Sequence, residues 1–219
     1  MATNTGISLS DLRTTINREI GCYNNLMSSL GTDLETSFVE PMSNVWYSQL
    51  AVDFFGSFKS TMETFAGEVT KTYESVVNTL NEIGLAWCKF NNLEGEYVSQ
   101  EFEACTYNLS IDDIKTMTES GQIYIERDAA LDLADNLSIL STTCVDTLDL
   151  SINVINQVGA LYDANDSQLS SLTTALTNVK TSIVEAADSL KQEVITAIED
   201  TNTKYEEQAA SVSAGVSGE

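Results

Sequence analysis

The sequence contains no histidine and a single proline, and these shortages set the first limits on its fold and function. Histidine is the commonest general base and a frequent metal ligand, so its absence argues against a hydrolase triad and against a di-iron bundle. Proline costs about 3 kcal/mol inside a helix, so a chain with one proline can form long uninterrupted helices. Because 42% of the 219 residues are apolar, the chain can also bury a core.

Positive charge is scarce as well. Ten Lys and Arg stand against 33 Asp and Glu, which leaves a formal net charge of −23. Such a chain repels nucleic acid and anionic membrane surfaces, so neither is an expected partner. The N-terminus has no basic segment followed by an apolar stretch, and no apolar run approaches the roughly 20 residues of a membrane span. We therefore expect no stable membrane insertion and no cleavable signal peptide.

The cysteines are few and widely scattered. They form no CxxC pair and have none of the spacings that build a zinc site. Unpaired cysteine is usually buried, so we predict four buried free thiols. These are Cys22, Cys88, Cys105 and Cys144.

An acidic row is the other arrangement that resembles a metal site. Asp128, Asp132 and Asp135 share one face of a predicted helix. Carboxylates spaced along an exposed helix are ordinarily solvated, and hard cations prefer oxygens that converge from a loop. We therefore expect no metal site and no cofactor.

Apolar residues recur at steps of three and four along most of the chain, as in amphipathic helices. We predict helices over 9–40, 46–91, 122–160 and 167–208, and no strand. Short links make consecutive helices antiparallel neighbours, so each pair forms a hairpin. The predicted fold is all-α, with elongated antiparallel hairpins packed as a four-helix, coiled-coil-like bundle. The predicted organisation is a hairpin over 1–101, an irregular connector over 102–121, a second hairpin over 122–208 and a disordered tail over 209–219.

The turn of the first hairpin contains the only proline and one of the two tryptophans. Ser8 and Asp11 form a capping-box-like start to the first helix, and we expect Pro41 to end it. The second helix is predicted to begin at Trp46. At the tip of a hairpin, one large flat side chain closes the gap between separating helices, so we expect Trp46 to be buried there. Ser48 is small enough for the chain to fold tightly around the ring.

The elements around this turn resemble the Trp-x-Gly (WXG) family of helical-hairpin proteins exported by type VII secretion in Gram-positive bacteria. The resemblance covers residues 7–101 and rests on a helix opening "ISLSDLR", a break, the Trp46-x-Ser48 turn motif, and an aromatic run that follows it. Ser48 stands where the family usually has glycine. The resemblance implies a non-enzymatic secretion substrate or targeting partner, which is secreted without a cleavable signal peptide and is cytoplasmic before export.

The resemblance also implies partners and a signal. The expected partners are the secretion machinery, together with a cargo toxin, a second hairpin protein or another copy of this chain as a homo-oligomer. Whether the two hairpins pack on each other or on a partner is left open. The family carries a Tyr-x-x-x-Asp/Glu signal after its second helix, and Tyr97 with Glu101 matches it in position. Two further matches are Tyr124 with Asp128 and Tyr162 with Asp166, whose tyrosines we expect to pack at helix ends.

Two other functions are compatible with a helical chain. A coiled-coil assembly protein would use the same apolar stripes, although it does not account for the aromatic turn. An α-helical pore-forming toxin requires a strongly apolar segment that can be released, and the best candidates, 85–90 and 194–198, are short. An enzyme is not expected, because no nucleophile, base and orienting group occur at a plausible spacing.

Overall fold

The computed structural model describes residues 8–114, 123–159 and 166–216, and 83% of them are helical. Four long helices pack against one another, so the predicted all-α bundle is confirmed. The elements in chain order are α1 (Leu9–Ser28), two π-helical segments (Ser29–Asp33 and Glu35–Val39), α2 (Glu40–Val45), β1 (Trp46–Tyr47), α3 (Gln49–Phe90), β2 (Tyr124–Ile125), α4 (Arg127–Ala134), α5 (Asn136–Gly159) and α6 (Asp166–Val216).

The described residues fall into two compact units. Unit 1 comprises those of Met1–Ser28, Phe65–Tyr107 and Thr143–Ile183, and unit 2 comprises those of Ser29–Thr64, Asn108–Thr142 and Val184–Glu219. Each unit therefore draws on both predicted hairpins, because α3, α5 and α6 contribute residues to both units.

Unit 1 contains an antiparallel helix pair formed by α1 and the second half of α3. The hydroxyl groups of Tyr23 and Thr70 lie 3.1 Å apart, and Leu12 lies beside Gly84. Residue numbers therefore rise along one helix as they fall along the other. Its core consists of the buried apolar side chains of these helices and of the adjoining parts of α5 and α6, including Ile16, Leu26, Val69, Val76, Leu80, Leu148, Ile155 and Leu176.

In unit 2, the second π-helical segment packs against the first half of α3. The ring of Phe38 lies 5.7 Å from that of Phe55 and 5.5 Å from that of Phe58. The side-chain amide of Asn136 donates a hydrogen bond of 2.7 Å to the backbone carbonyl of Ser37. This bond joins α5 to the second π-helical segment. Buried residues of α6, including Leu190, Val194 and Ile198, complete the core.

The predicted role of Pro41 is wrong, since the helical path continues past it to Val45. The π-helical segment ends at Val39 and α2 begins at Glu40, so Pro41 occupies the first turn of a new helix. Proline is tolerated in the first turn of a helix because its fixed φ suits the helix and its missing amide breaks no hydrogen bond within α2. The chain reverses direction at Trp46 instead.

Three further features differ from the prediction. The buried face of α3 is wider than the single row of apolar residues that steps of three and four predict, because Phe55, Ala66 and Val77 beside that row are also buried. Strands β1 and β2 pair as a short antiparallel ladder, although no strand was predicted. Helix α6 continues to Val216, which corrects the predicted disordered tail over 209–216. Alanines 209 and 210 favour helix, and neither proline nor glycine interrupts the chain before Gly215.

Candidate functional site

Trp46 forms the centre of the turn between α2 and α3 in unit 2. Its side chain is fully buried, as predicted, and its indole Nε1–H donates a hydrogen bond of 3.0 Å to the Thr201 Oγ1 of α6. The ring packs 6.0 Å from Phe54 and 6.1 Å from Phe55. The backbone of Trp46 is extended, with φ −146° and ψ 116°. Trp46 therefore precedes α3, and the prediction that it is the first residue of this helix is wrong. The turn thus combines a buried ring with a satisfied indole donor.

Ser48 caps the N-terminus of α3. Its Oγ accepts a hydrogen bond of 3.1 Å from the amide of Ala51, and its carbonyl accepts one of 3.2 Å from the amide of Val52. The first amides of a helix have no intrahelical acceptor, and serine is among the residues that satisfy them best. Serine at this position therefore fulfils a structural requirement that glycine meets less directly.

The short β-ladder closes the turn from the other side. Tyr47 stacks on Tyr124 with ring centroids 4.6 Å apart, and the amide of Glu126 donates a hydrogen bond of 2.7 Å to the carbonyl of Val45. The apolar pattern of the sequence predicts no strand, so it does not predict this ladder. Its one signal is the run Ile123–Ile125, where β-branched residues flank an aromatic one.

The segment after α3 crosses the surface of unit 1 without regular structure. We call residues 93–107 the strap; all of them are described, and none lies in a helix or strand. The predicted signal residues Tyr97 and Glu101 lie in it. Because the strap is not helical, these two residues do not share a helical face.

Tyr97 is buried, although a signal that a partner reads is expected at the surface. Its hydroxyl donates a hydrogen bond of 2.9 Å to the Asn81 Oδ1, and its ring lies against Gly84. The guanidinium of Arg13 is 5.6 Å from the ring centroid, within the range of a cation–π interaction. Burial raises the pKa of the Tyr97 phenol, and the nearby Arg13 charge acts against that rise. We call Asn81, Gly84, Arg13 and Leu12 the Tyr97 socket.

Glu101, by contrast, is exposed. It faces a groove of about 520 Å³ between α3 and the strap, which is also lined by Glu74, Glu82, Leu85 and Glu103. Asn81 holds the strap just before it, because its side chain accepts a hydrogen bond of 2.9 Å from the amide of Gln100 and donates one of 2.8 Å to the carbonyl of Gln100. Of the two predicted signal residues, only Glu101 is therefore accessible to a partner.

The far end of the strap is attached to α1. The amide of Cys105 donates a hydrogen bond of 2.9 Å to the Tyr23 hydroxyl, and the ring of Phe102 lies 4.8 Å from that of Tyr23. Cys105 is exposed, with its Sγ 3.3 Å from the Asn24 Oδ1, which corrects the prediction that all four cysteines are buried. An irregular segment exposes side chains that a helical stripe would bury. The other three are buried, and none of the four cysteines, all of which are described, forms a disulfide bond.

The other two Tyr-x-x-x-Asp matches and the acidic row do not form a site in the described residues. Tyr124 lies in β2, and Asp128 pairs with the adjacent Arg127 at 2.9 Å. Tyr162 and the side chain of Asp166 lie outside the described residues. In the acidic row, Asp135 pairs with Lys191 at 2.8 Å. Within 8–114, 123–159 and 166–216, no group of three or more ligating side chains can hold a metal ion.

A buried polar cluster in unit 1 was not predicted. Glu19 of α1 is fully buried and accepts a hydrogen bond from the hydroxyl of Ser151 on α5. Burial raises the pKa of Glu19 to about 7, although the Ser151 bond acts against the rise. Burial also raises the pKa of the Cys22 thiol to about 11, and it raises the pKa of the Tyr73 phenol on α3. The negative charge of Glu19 raises both pKa values further.

This cluster carries a recognisable signal in the sequence. Glu19 follows Ile16 by three residues and precedes Tyr23 by four, which places it on the apolar stripe of α1. Ser151 has the same spacing between Leu148 and Ile155. Because all members of the cluster are buried, they have no access to a substrate in this arrangement.

Comparisons with protein-family models, with curated proteins and with solved structures find no match to this chain. Across the described helices, none has a stretch long and apolar enough to cross a membrane.

Proposed function

We propose that the chain is a non-enzymatic substrate or targeting partner of a Gram-positive type VII secretion system. It acts through helix–helix contacts and an export signal, and it is secreted without a cleavable signal peptide. The observation that carries the proposal is the Trp46-x-Ser48 turn, in which a buried tryptophan and a helix-capping serine join antiparallel helices.

The position of the strap supports the same proposal. It begins three residues after α3 ends at Phe90, which is where the resembled family has its signal. The exposed Glu101 provides a carboxylate that the secretion machinery can reach. The expected partners are that machinery and a cargo toxin or second hairpin protein.

The export test uses Glu101→Gln in a host with an active type VII system. The substitution removes the charge of an exposed side chain, so we expect the free energy of unfolding to change by less than about 0.5 kcal/mol. We expect the amount of protein in the medium to fall while the amount in the cells is maintained.

Glu103→Gln is the matched control, because Glu103 is also exposed and lines the same groove but lies outside the Tyr-x-x-x-Glu pattern. Its export should equal that of the wild type. Changing Tyr162 and Asp166 together should also leave export intact. If export of Glu101→Gln stayed at the wild-type level while the Tyr162 and Asp166 variant was retained, the signal would lie in the second half of the chain.

A coiled-coil assembly protein is the second candidate, and one feature of unit 2 favours it. Tyr205 and Val212 lie two helical turns apart on α6 and are 46% and 65% exposed. Such a stripe suits contact with another helix. Sedimentation at several protein concentrations distinguishes the candidates, because assembly predicts a mass that rises with concentration and falls when both residues are changed to Ser.

A further inference from the structure

The strap buries the tyrosine of the candidate signal and exposes only its acidic residue. We infer that the strap is a releasable latch, which hides Tyr97 in its socket on unit 1 until release makes the complete signal available to the machinery. This inference rests on the proposed function. It adds that recognition is controlled by the chain itself.

The contacts that hold the strap are made mainly by side chains of α1 and α3, including those of Tyr23 with Phe102 and Cys105 at its far end. Near its start, the Arg13 guanidinium donates a hydrogen bond of 3.2 Å to the carbonyl of Glu96 and lies over the Tyr97 ring. In its middle, Asn81 bonds to Tyr97 and to both backbone groups of Gln100. Segments with few buried contacts and no regular structure open at a lower free energy than core helices, so the strap can leave while the helices stay folded.

The Tyr97 socket depends on a glycine. A Cβ atom at position 84 would lie 2.6 Å from Cζ and 2.8 Å from Cε1 of Tyr97, and 2.9 Å from Cδ2 of Leu12. The Leu12 methyl can rotate away, whereas the tyrosine ring is rigid and must move as a whole. Gly84→Ala is therefore expected to expel Tyr97 while leaving the sequence of the strap, and thus the signal, unchanged.

Two variants open the latch in different ways, and one glycine serves as the control. Gly84→Ala fills the socket, and Arg13→Ala removes both contacts of the guanidinium with the strap. The control is Gly67→Ala, because Gly67 lies on the same helix and a Cβ there would meet no atom within 4 Å. Circular dichroism checks that the helices remain in each variant.

The first measurement is cleavage by a glutamyl endopeptidase under native conditions. The strap contains Glu94, Glu96, Glu101 and Glu103, and its cleavage reports the open fraction. We expect both opening variants to be cleaved about tenfold faster than the wild type, as a shift of about 1.4 kcal/mol produces. Gly67→Ala should be cleaved at the wild-type rate. Unchanged cleavage in both opening variants would overturn the latch.

The second measurement is export in the type VII host. The apparent affinity of a partner for a hidden site rises with the open fraction, so we expect export of both opening variants to rise by up to about tenfold. If the strap opened, export stayed at the wild-type level and Glu101→Gln still blocked it, the latch would be overturned and the proposed function would stand. If neither the wild type nor any variant were exported, the proposed function and the role of the latch in export would both be contradicted. The cleavage assay would still report whether the strap opens.

Discussion

Trp46 contributes to stability through a buried ring and through one buried hydrogen bond. Removing the whole side chain leaves a cavity, so Trp46→Ala is expected to lower the free energy of unfolding by about 3–5 kcal/mol. Thr201→Val leaves the indole donor unpaired and should cost about 1–3 kcal/mol. Urea unfolding measures both changes.

The partly buried Trp87 is the control for ring removal, and its change to Ala should cost less than that of Trp46. In the Trp46→Phe background, Thr201→Val should cost less than it does alone, because the donor is already gone. An unchanged melting temperature for Trp46→Ala would contradict the role of the buried ring in stabilising the turn.

At the scale of elements, the start of α3 depends on the Ser48 cap. Alanine cannot accept a hydrogen bond from the Ala51 amide, so Ser48→Ala is expected to cost about 1 kcal/mol, whereas Ser48→Gly should cost only a few tenths. Thermal unfolding followed by circular dichroism measures the difference. A Ser48→Ala variant as stable as the wild type would mean that the hydroxyl contributes nothing as a cap.

For the whole molecule, the buried Glu19 links stability to pH. Its pKa in the folded state, about 7, lies above its ordinary value of 4.5, so the folded state binds the proton more tightly. The resulting contribution is fully present below pH 4.5, declines as pH rises, and is lost above about pH 7. It amounts to about 3 kcal/mol. Cys22 from α1, Tyr73 from α3 and Ser151 from α5 face this carboxyl group.

Glu19→Gln separates this effect from the general repulsion of an acidic chain. We expect the wild type to be more stable at pH 5 than at pH 8, and the variant to lose much of that difference. The control Glu68→Gln changes an exposed carboxylate on α3 and should keep the wild-type profile. Identical profiles for Glu19→Gln and the wild type, measured by urea unfolding across this range, would contradict the assignment.

The spacing of apolar residues is sufficient to predict the helices and most of the core. Steps of three and four between apolar residues define one buried face per helix, because side chains on a helix recur with a period of 3.6. Leu12 and Phe58 lie on such faces and are buried, and the same rule applied to polar residues predicts the burial of Glu19 and Ser151.

What lies against these helices depends on contacts between distant parts of the chain. Trp46 bonds to a threonine 155 residues away, and Tyr97 is buried by Arg13, Asn81 and Gly84, which lie on two helices. No local period encodes such contacts, because they depend on how helices distant in sequence come together. For the same reason, Tyr97 and Glu101 match one short pattern although one is buried and the other is exposed.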